Sequence, residues 1–292
     1  MLLTSENTMN VPDLDAFLTA PHQTVAAVAP QTIIFAPAGS KRLAVIEQIP
    51  VEHYSEWVMQ ELSRMLPMFF QLGVRNVLLP TLGPKQFLEP VTGYQDQILH
   101  WVVQFSLGAA LTRAAFEHGF RVRLIGPATR SVPVLGEAAN QLLEQHPDRD
   151  LPVLWLYVVQ SDEEPWMEVI KAAQRTNATT RGELVQALYE EEIPSATVLI
   201  GSGRPILHTR IMPPLLFDSD LQCYWTRCAG VRITEEMIRR VIYDATFSRN
   251  TYTEARATRY RHANKLRQHW EGQSIMGIGQ NMFGFWVPQA FP

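Results

Sequence analysis

The chain has 292 residues, 46% of them hydrophobic and 18% charged, which is enough apolar material for one large domain or two small ones. A net charge of −4 supplies no global field to recruit nucleic acid. No run approaches the ~20 apolar residues that span a bilayer, and no basic start leads into an apolar stretch, so neither a membrane span nor a signal peptide is expected.

The first 30 residues carry proline and alanine without a strong period and read as an N-terminal arm, with one short helix near Leu14–Leu18. Residues 31–292 read as a single domain. The apolar run Thr32–Ala36 is the first strand. A long helix entered at Pro50 follows, with Val51, Tyr54, Val58, Leu62, Met65, Leu66 and Phe69 on one face and Gly73 at its end. Val74–Leu79 reads as a strand stopped by Pro80. Tyr94–Phe116 is a second long amphipathic helix closed by Gly119, and Arg121–Ile125 a strand broken by Gly126-Pro127. Val134–Gln145 is helical, Val153–Val159 a strand, and Glu163–Ala173 and Gly182–Glu191 helices. Thr197–Ile200 and Leu221–Trp225 complete the strands. Thr234 suits an N-cap, with Ile233 and Ile238 placed for a hydrophobic staple on a helix running to Phe247. A basic helical stretch, Thr251–Trp270, precedes a glycine- and aromatic-rich tail.

Strands apolar nearly throughout, separated by helices, predict an α/β fold. Its central six-stranded, mainly parallel sheet is covered by helices on both faces. Ligands of such sheets bind beyond the carboxyl ends of the strands. There the first strand runs into Ala38-Gly39-Ser40-Lys41-Arg42. Glycine lets backbone N–H groups approach an anion, and Ser40, Lys41 and Arg42 add donors and charge. The nucleotide P-loop is excluded, since its longer glycine spacing and Lys-Ser/Thr ending are missing. A polar surface turn after a strand fits the same residues.

Other groups carry two readings each. Tyr54, in Glu52-His53-Tyr54, either points its phenol at a ligand on Lys41 and Arg42 or opens the apolar face of its helix. Ile200-Gly201-Ser202-Gly203-Arg204-Pro205 is a second anion contact or a tight turn with a solvated arginine. No third glycine follows at dinucleotide spacing. Trp57, Met65, Met68, Phe69 and Phe70 wall a hydrocarbon pocket or fill the core. Arg249, Arg256, Arg259, Arg261, Lys265 and Arg267, with Glu254 among them, fit a solvated helix better than a nucleic-acid face. Cys223 and Cys228 are the only cysteines, and the histidines show no HExxH-like spacing. No zinc site, protein-built metal site or disulfide framework is therefore expected, and free thiols suit a reducing cytoplasm.

The Gly-Ser-Lys-Arg turn, Phe120-Arg121-Val122-Arg123-Leu124-Ile125-Gly126 and Leu199-Ile200-Gly201-Ser202-Gly203-Arg204 stand in an order that resembles the cis-prenyltransferase family over residues 30–250. In that family the first turn reads Asp-Gly-Asn-x-Arg-Arg, so Gly39, Ser40, Lys41 and Arg42 match diphosphate-binding positions and Ala38 replaces the aspartate. Chain-elongating members carry Arg-x-Ser/Thr-Gly-Glu-x-Arg-x-Ser in the later turn. Here Gly201 stands where the first arginine belongs, and Ile206-Leu207-His208 where Arg-x-Ser lies. The allylic diphosphate site is kept in part and the condensing partner's site is lost.

Thr234-Glu235-Glu236-Met237-Ile238-Arg239-Arg240-Val241-Ile242-Tyr243-Asp244 and Gly277-Ile278-Gly279…Gly284-Phe285-Trp286 narrow the resemblance. They are similar to the atypical bacterial diterpene synthases of this fold, the tuberculosinol and kolavelool synthase type. The resemblance implies ionisation of a preformed halimane- or clerodane-type diterpenyl diphosphate and quenching of the allylic cation by water, or by a nucleoside in one case. Tyr54 falls on the functional tyrosine of that branch; read from the residues themselves, Arg204 is the candidate second anion contact and Trp57, Phe69 and Phe70 the candidate hydrocarbon wall. Glu52, or His53 if neutral, is the candidate for orienting the water. Mg²⁺ is expected to arrive on the substrate diphosphate, with weak dependence because Ala38 replaces the aspartate. A homodimer is implied as well. A chain-elongating transferase and a non-catalytic partner subunit are the alternatives.

Overall fold

The computed structural model describes residues 11–145, 150–206, 216–249, 278–282 and 285–288. In chain order the elements begin with helices α1 (Leu14–Leu18) and α2 (His22–Ala26), strand β1 (Thr32–Ala36) and helix α3 (Ser40–Ile46). A 3-10 turn at Val51–His53 leads to α4 (Tyr54–Met65), α5 (Pro67–Gln71), β2 (Asn76–Leu82), α6 (Pro84–Phe87), α7 (Tyr94–Leu107) and α8 (Ala109–His118). Then come β3 (Arg121–Ile125), α9 (Ala128–Ser131), α10 (Pro133–Gln145), β4 (Val153–Val158), α11 (Glu164–Thr176) and α12 (Arg181–Tyr189). Strands β5 (Ala196–Ser202) and β6 (Phe217–Thr226), helix α13 (Glu235–Tyr243) and a small hairpin, β7 (Gly279–Met282) with β8 (Phe285–Pro288), finish the chain.

Six strands form one parallel sheet in the order β3-β4-β2-β1-β5-β6. This is the expected architecture. The central strands read as unbroken apolar runs because both faces are covered. On one face Ile33, Phe35, Val77, Leu79 and Ile200 meet α4, α5, α7, α8, α10 and α13. On the other, Ile34, Leu78, Trp155, Tyr157 and Leu199 meet α11 and α12. The segment from residue 11 joins the first layer. Phe17 packs on Tyr243 and Phe247, and Arg239 donates to the carbonyls of Phe17 and Ala20. No described helix is long and apolar enough to cross a membrane.

The structure corrects several boundaries. The helix expected from Pro50 is broken into the 3-10 turn, α4 and α5, because Pro67 has no N–H to continue the ladder. Val51, expected on the apolar face, is 90% exposed. Strand β2 continues through Pro80 to Leu82, since its ladder with β1 ends at Leu78 and an open flank tolerates a residue without a donor. The Tyr94–Phe116 helix splits at Gly108, whose backbone is extended. Thr234 caps α13 as expected, accepting from Met237 N, but α13 ends at Tyr243 and passes into a π-helical turn, Asp244–Ser248. Helix α3 was not foreseen, because Ala44 is its only buried residue and it shows no apolar stripe. The expected basic helix and its cations beyond Arg249 lie outside the described residues.

Polar groups inside the second layer form their own cluster. Glu168 on α11 pairs with Arg130, while Glu168 Oε2 and the hydroxyls of Tyr157 and Tyr189 are buried with no hydrogen-bond partner among protein atoms. Burial pushes the Glu168 carboxyl up to about 7 against the pull of Arg130. Burial also raises both phenols.

Candidate active site at the carboxyl end of the sheet

From β1 the chain moves to β2 on one side, and β5 later pairs on the other. The connections therefore part above β1 and β5, and this divergence opens the crevice where ligands of such sheets sit. Gly39 lies at that point with φ of 87°, a left-handed conformation that glycine adopts without a Cβ penalty. It is the N-cap of α3. Ser40, Lys41 and Arg42 thus form a first helical turn, whose amides have no carbonyl within the helix to bond.

Tyr54 opens α4, and its hydroxyl lies 2.8 Å from Ser40 Oγ. The phenol expected to face the turn is joined to it. Lys41 is exposed, with Nζ 5.7 Å from the ring centroid of Tyr94, the first residue of α7. Arg42 is exposed on the same turn. Trp57 follows Tyr54 by one helical turn, half-buried, with ring centroids 6.2 Å apart. Arg204 stands exposed just past β5, where Gly203 N–H donates to the Thr226 carbonyl at 2.8 Å. Glu52 and His53 are exposed in the 3-10 turn before Tyr54. Phe69 and Phe70 are sealed in the core, Phe69 against Phe35 and Phe70 stacked on Phe120 at 4.5 Å.

The turn is backed by a segment that sequence reading did not single out. Gly230 N–H donates to the Ala38 carbonyl at 2.9 Å. A Cβ at Gly230 would fall 2.3 Å from Pro37 Cβ and 2.9 Å from Ser202 Oγ, so only glycine lets this strand of chain lie so close. Ala38 itself is exposed. Among the described residues no three of His, Cys, Asp and Glu converge on a point.

At the neighbouring strand end, Gly201 pairs with Ala36 on one side and Trp225 on the other. The Trp225 indole covers Gly201, and a Cβ there would lie 2.7 Å from Nε1. The space a side chain at 201 would need is filled. Leu207 and His208, the remainder of the later turn, lie outside the described residues.

What the arrangement offers is a turn of backbone amides, a hydroxyl and exposed cations, with one phenol joined to it and half-buried Trp57 one helical turn on. Tyr94, Gly230, Arg232 and Trp225 complete the surroundings. No sequence signal marks them, since each earns its place through a neighbour distant in the chain.

No family model matches the chain. It is 37% identical over 281 residues to the (+)-kolavelool synthase of Herpetosiphon aurantiacus, covering 96% of each chain. It is 23% identical over 306 residues to the tuberculosinyl adenosine transferase of Mycobacterium tuberculosis, covering 97% of this chain and all of the other. Among solved structures it resembles lavandulyl diphosphate synthase from Lavandula x intermedia in complex with dimethylallyl diphosphate, with a TM-score of 0.59 and 13% identity over 76% of this chain and 97% of that one. It also resembles a probable undecaprenyl diphosphate synthase from Campylobacter jejuni, with a TM-score of 0.55 and 16% identity over 77% and 99%.

Proposed function

This chain belongs to the kolavelool synthase family of terpene synthases, built on the cis-prenyltransferase fold, and from that premise we propose its reaction and its site. The general role is synthesis of a diterpene alcohol from a diterpenyl diphosphate. The substrate is a preformed bicyclic diphosphate of the clerodane or halimane kind. Its allylic C–O bond breaks with both electrons leaving on diphosphate, and a water oxygen then attacks the carbocation and loses a proton.

The observation that carries this reading is the 2.8 Å contact between Ser40 and Tyr54. It joins a phenol to the turn to which we assign the leaving group. The amides of Gly39 and Ser40, with Lys41 and Arg42, stabilise negative charge as it accumulates on the departing oxygens. Tyr54 donates to the oxygen that leaves carbon. Arg204 reaches the same anion from the β5 side. Trp57 screens the cation on its hydrocarbon side, with Phe69 and Phe70 behind. Glu52, or His53 when neutral, orients the water at the mouth. The water's proton passes to Glu52 or to released diphosphate.

The residues around the turn do not suit a protein-held metal, because Ala38 carries no oxygen ligand in its side chain. We therefore assign Mg²⁺ to the incoming diphosphate and expect weak dependence. Condensation with isopentenyl diphosphate is not expected, given the covered glycine at 201. Two copies pair into a homodimer, as the resemblance to the cis-prenyltransferases implies.

The test is a product assay of purified wild type and Ala38→Asp with kolavenyl and tuberculosinyl diphosphates, with Mg²⁺ or EDTA, and with labelled isopentenyl diphosphate. A diterpene alcohol from the wild type supports the reading. A silent wild type rescued by aspartate, or label entering longer prenyl chains, overturns it. Complete loss of turnover in EDTA removes the weak-metal assignment alone.

A further inference from the structure

One guanidinium ties together the two helices that open at this site. Arg232 Nη2 donates to both Glu47 oxygens at 2.7 Å, and Nε reaches Glu47 Oε1 at 3.2 Å. Its Nη1 donates to Glu61 Oε2 at 2.6 Å, and the guanidinium carbon stands 5.8 Å from the Trp57 ring centroid. Glu47 caps the carboxyl end of α3, whose amino end carries Ser40, Lys41 and Arg42. Glu61 lies two turns into α4, whose first residue is Tyr54. Arg232 itself ends the 3-10 turn Gly230–Arg232, which bonds the Ala38 carbonyl through Gly230.

Helix α3 needs such a tie. Ala44 is its only buried residue, and Val45 and Ile46 are 74% and 63% exposed. Only Ala44 and half-buried Leu43 pack α3 on the core, so hydrophobic packing alone fixes weakly where α3 points. Arginine suits the task, because its planar fork meets two carboxylates at once while a lysine offers a single point charge. The Arg232 side chain and Glu47 are each about a third exposed, at 32% and 31%, so the pairing adds little stability and acts through geometry.

We propose that Arg232 is a positioning residue for the reaction. It touches no substrate and acts by holding α3 against α4, so that the diphosphate turn and the Tyr54 hydroxyl keep one relative placement. This rests on the reaction proposed above. A displacement of about 1 Å at a reacting group costs on the order of 100-fold in rate.

The experiment compares Arg232→Ala, Arg232→Lys and Glu47→Gln, each alone and with Tyr54→Phe, in steady-state turnover of a bicyclic diterpenyl diphosphate. Amide hydrogen exchange is followed across residues 41–46. Arg232→Ala should lower kcat about 10–100-fold with KM changed less than about threefold, and exchange in α3 should quicken. Arg232→Lys should recover only part of the loss. In the Tyr54→Phe background Arg232→Ala should cost much less than it does alone, because the phenol it places is gone.

Unchanged kcat in both Arg232→Ala and Glu47→Gln overturns the proposal, as does a fully multiplicative double variant or unchanged α3 exchange. If Arg232→Ala does not fold, Glu47→Gln decides, since it removes only the exposed arm. If the wild type turns over no diterpenyl diphosphate, the reaction is wrong, and α3 exchange with calorimetric affinity for inorganic diphosphate judges the tie. Faster exchange with weaker affinity in Arg232→Ala upholds it, and the absence of either change refutes it.

Discussion

The two ends of the central sheet both carry cations, and they use them in opposite ways. At the amino end, Arg121 and Arg123 on β3 are 3% and 5% exposed, and both bond the carboxylate of Glu191. Arg121 also donates to the Leu151 carbonyl and Arg123 to that of Leu142. A cleft of about 440 Å³ opens there, lined by Arg75, Arg121, Glu190, Glu191 and Glu192 among others. Its charges come in both signs and Arg121 is already engaged, so it offers an anion little. At the carboxyl end Lys41, Arg42 and Arg204 are exposed around a glycine turn. An arginine marks an anion site by where its donors point, and Arg-Val-Arg on β3 and Lys-Arg on α3 cannot be ranked by charge alone.

Five substitutions press on this contrast. The largest effect should come from Glu191→Ala, which leaves two buried guanidinium groups without their carboxylate. It should cost about 3–5 kcal/mol in urea unfolding while activity per folded molecule stays at the wild-type level. A large drop in specific activity would show that the amino end also serves the reaction. Next, Lys41→Ala and Arg42→Ala should each lose about 10–150-fold in kcat/KM, the equivalent of about 1.5–3 kcal/mol for a charge-assisted contact, with Tm hardly moved. Unaltered turnover in both would place the site elsewhere.

Tyr54→Phe should lower kcat about 10-fold with little change in KM, because the hydroxyl matters most as charge leaves. Equal loss in substrate affinity would recast the phenol as a binding group. The smallest effect concerns Glu168, which belongs with the structural polar groups. Its folded carboxyl keeps a proton up to about 7, whereas the unfolded one releases it above 4.5. The stability this contributes is fully present below 4.5 and is lost as pH rises through 7. Glu168→Gln should flatten that slope and gain about 1 kcal/mol at pH 8. That is less than the full displacement implies, because Arg130, 55% exposed, softens the cost of the charge. An unchanged pH profile of Tm would remove Glu168 as its source.

Much of this organisation was legible in the sequence for plain reasons. A strand buried on both faces reads as a nearly unbroken apolar run, so Thr32–Ala36 and Val153–Val159 were legible as strands, the second ending one residue earlier at Val158. The turn chemistry was legible because glycine, a hydroxyl and two cations are adjacent in sequence. Helix α3 was not, since one buried alanine makes no periodic signal. The Gly108 break was hidden because apolar spacing on α7 and α8 runs across it. The Arg232 tie joins residues 185 and 171 positions apart, a separation at which local pattern is silent. The same holds for the carbonyl of Ala38, whose partner is Gly230.

The tryptophan lying over Gly201 has a consequence for how this site can be altered. Residues 201 and 225 share one volume, so their mutational effects are bound together. A side chain introduced at 201 meets the indole at once, and shrinking residue 225 first leaves a void at the edge of the sheet. Each single step is unfavourable and only the pair is tolerated, which is sign epistasis written in steric terms. A combinatorial library at both positions, selected for folded protein, should return larger residues at 201 only alongside smaller ones at 225. Site-by-site scanning would report both positions as immutable and miss the one route by which this corner of the cleft can be rebuilt.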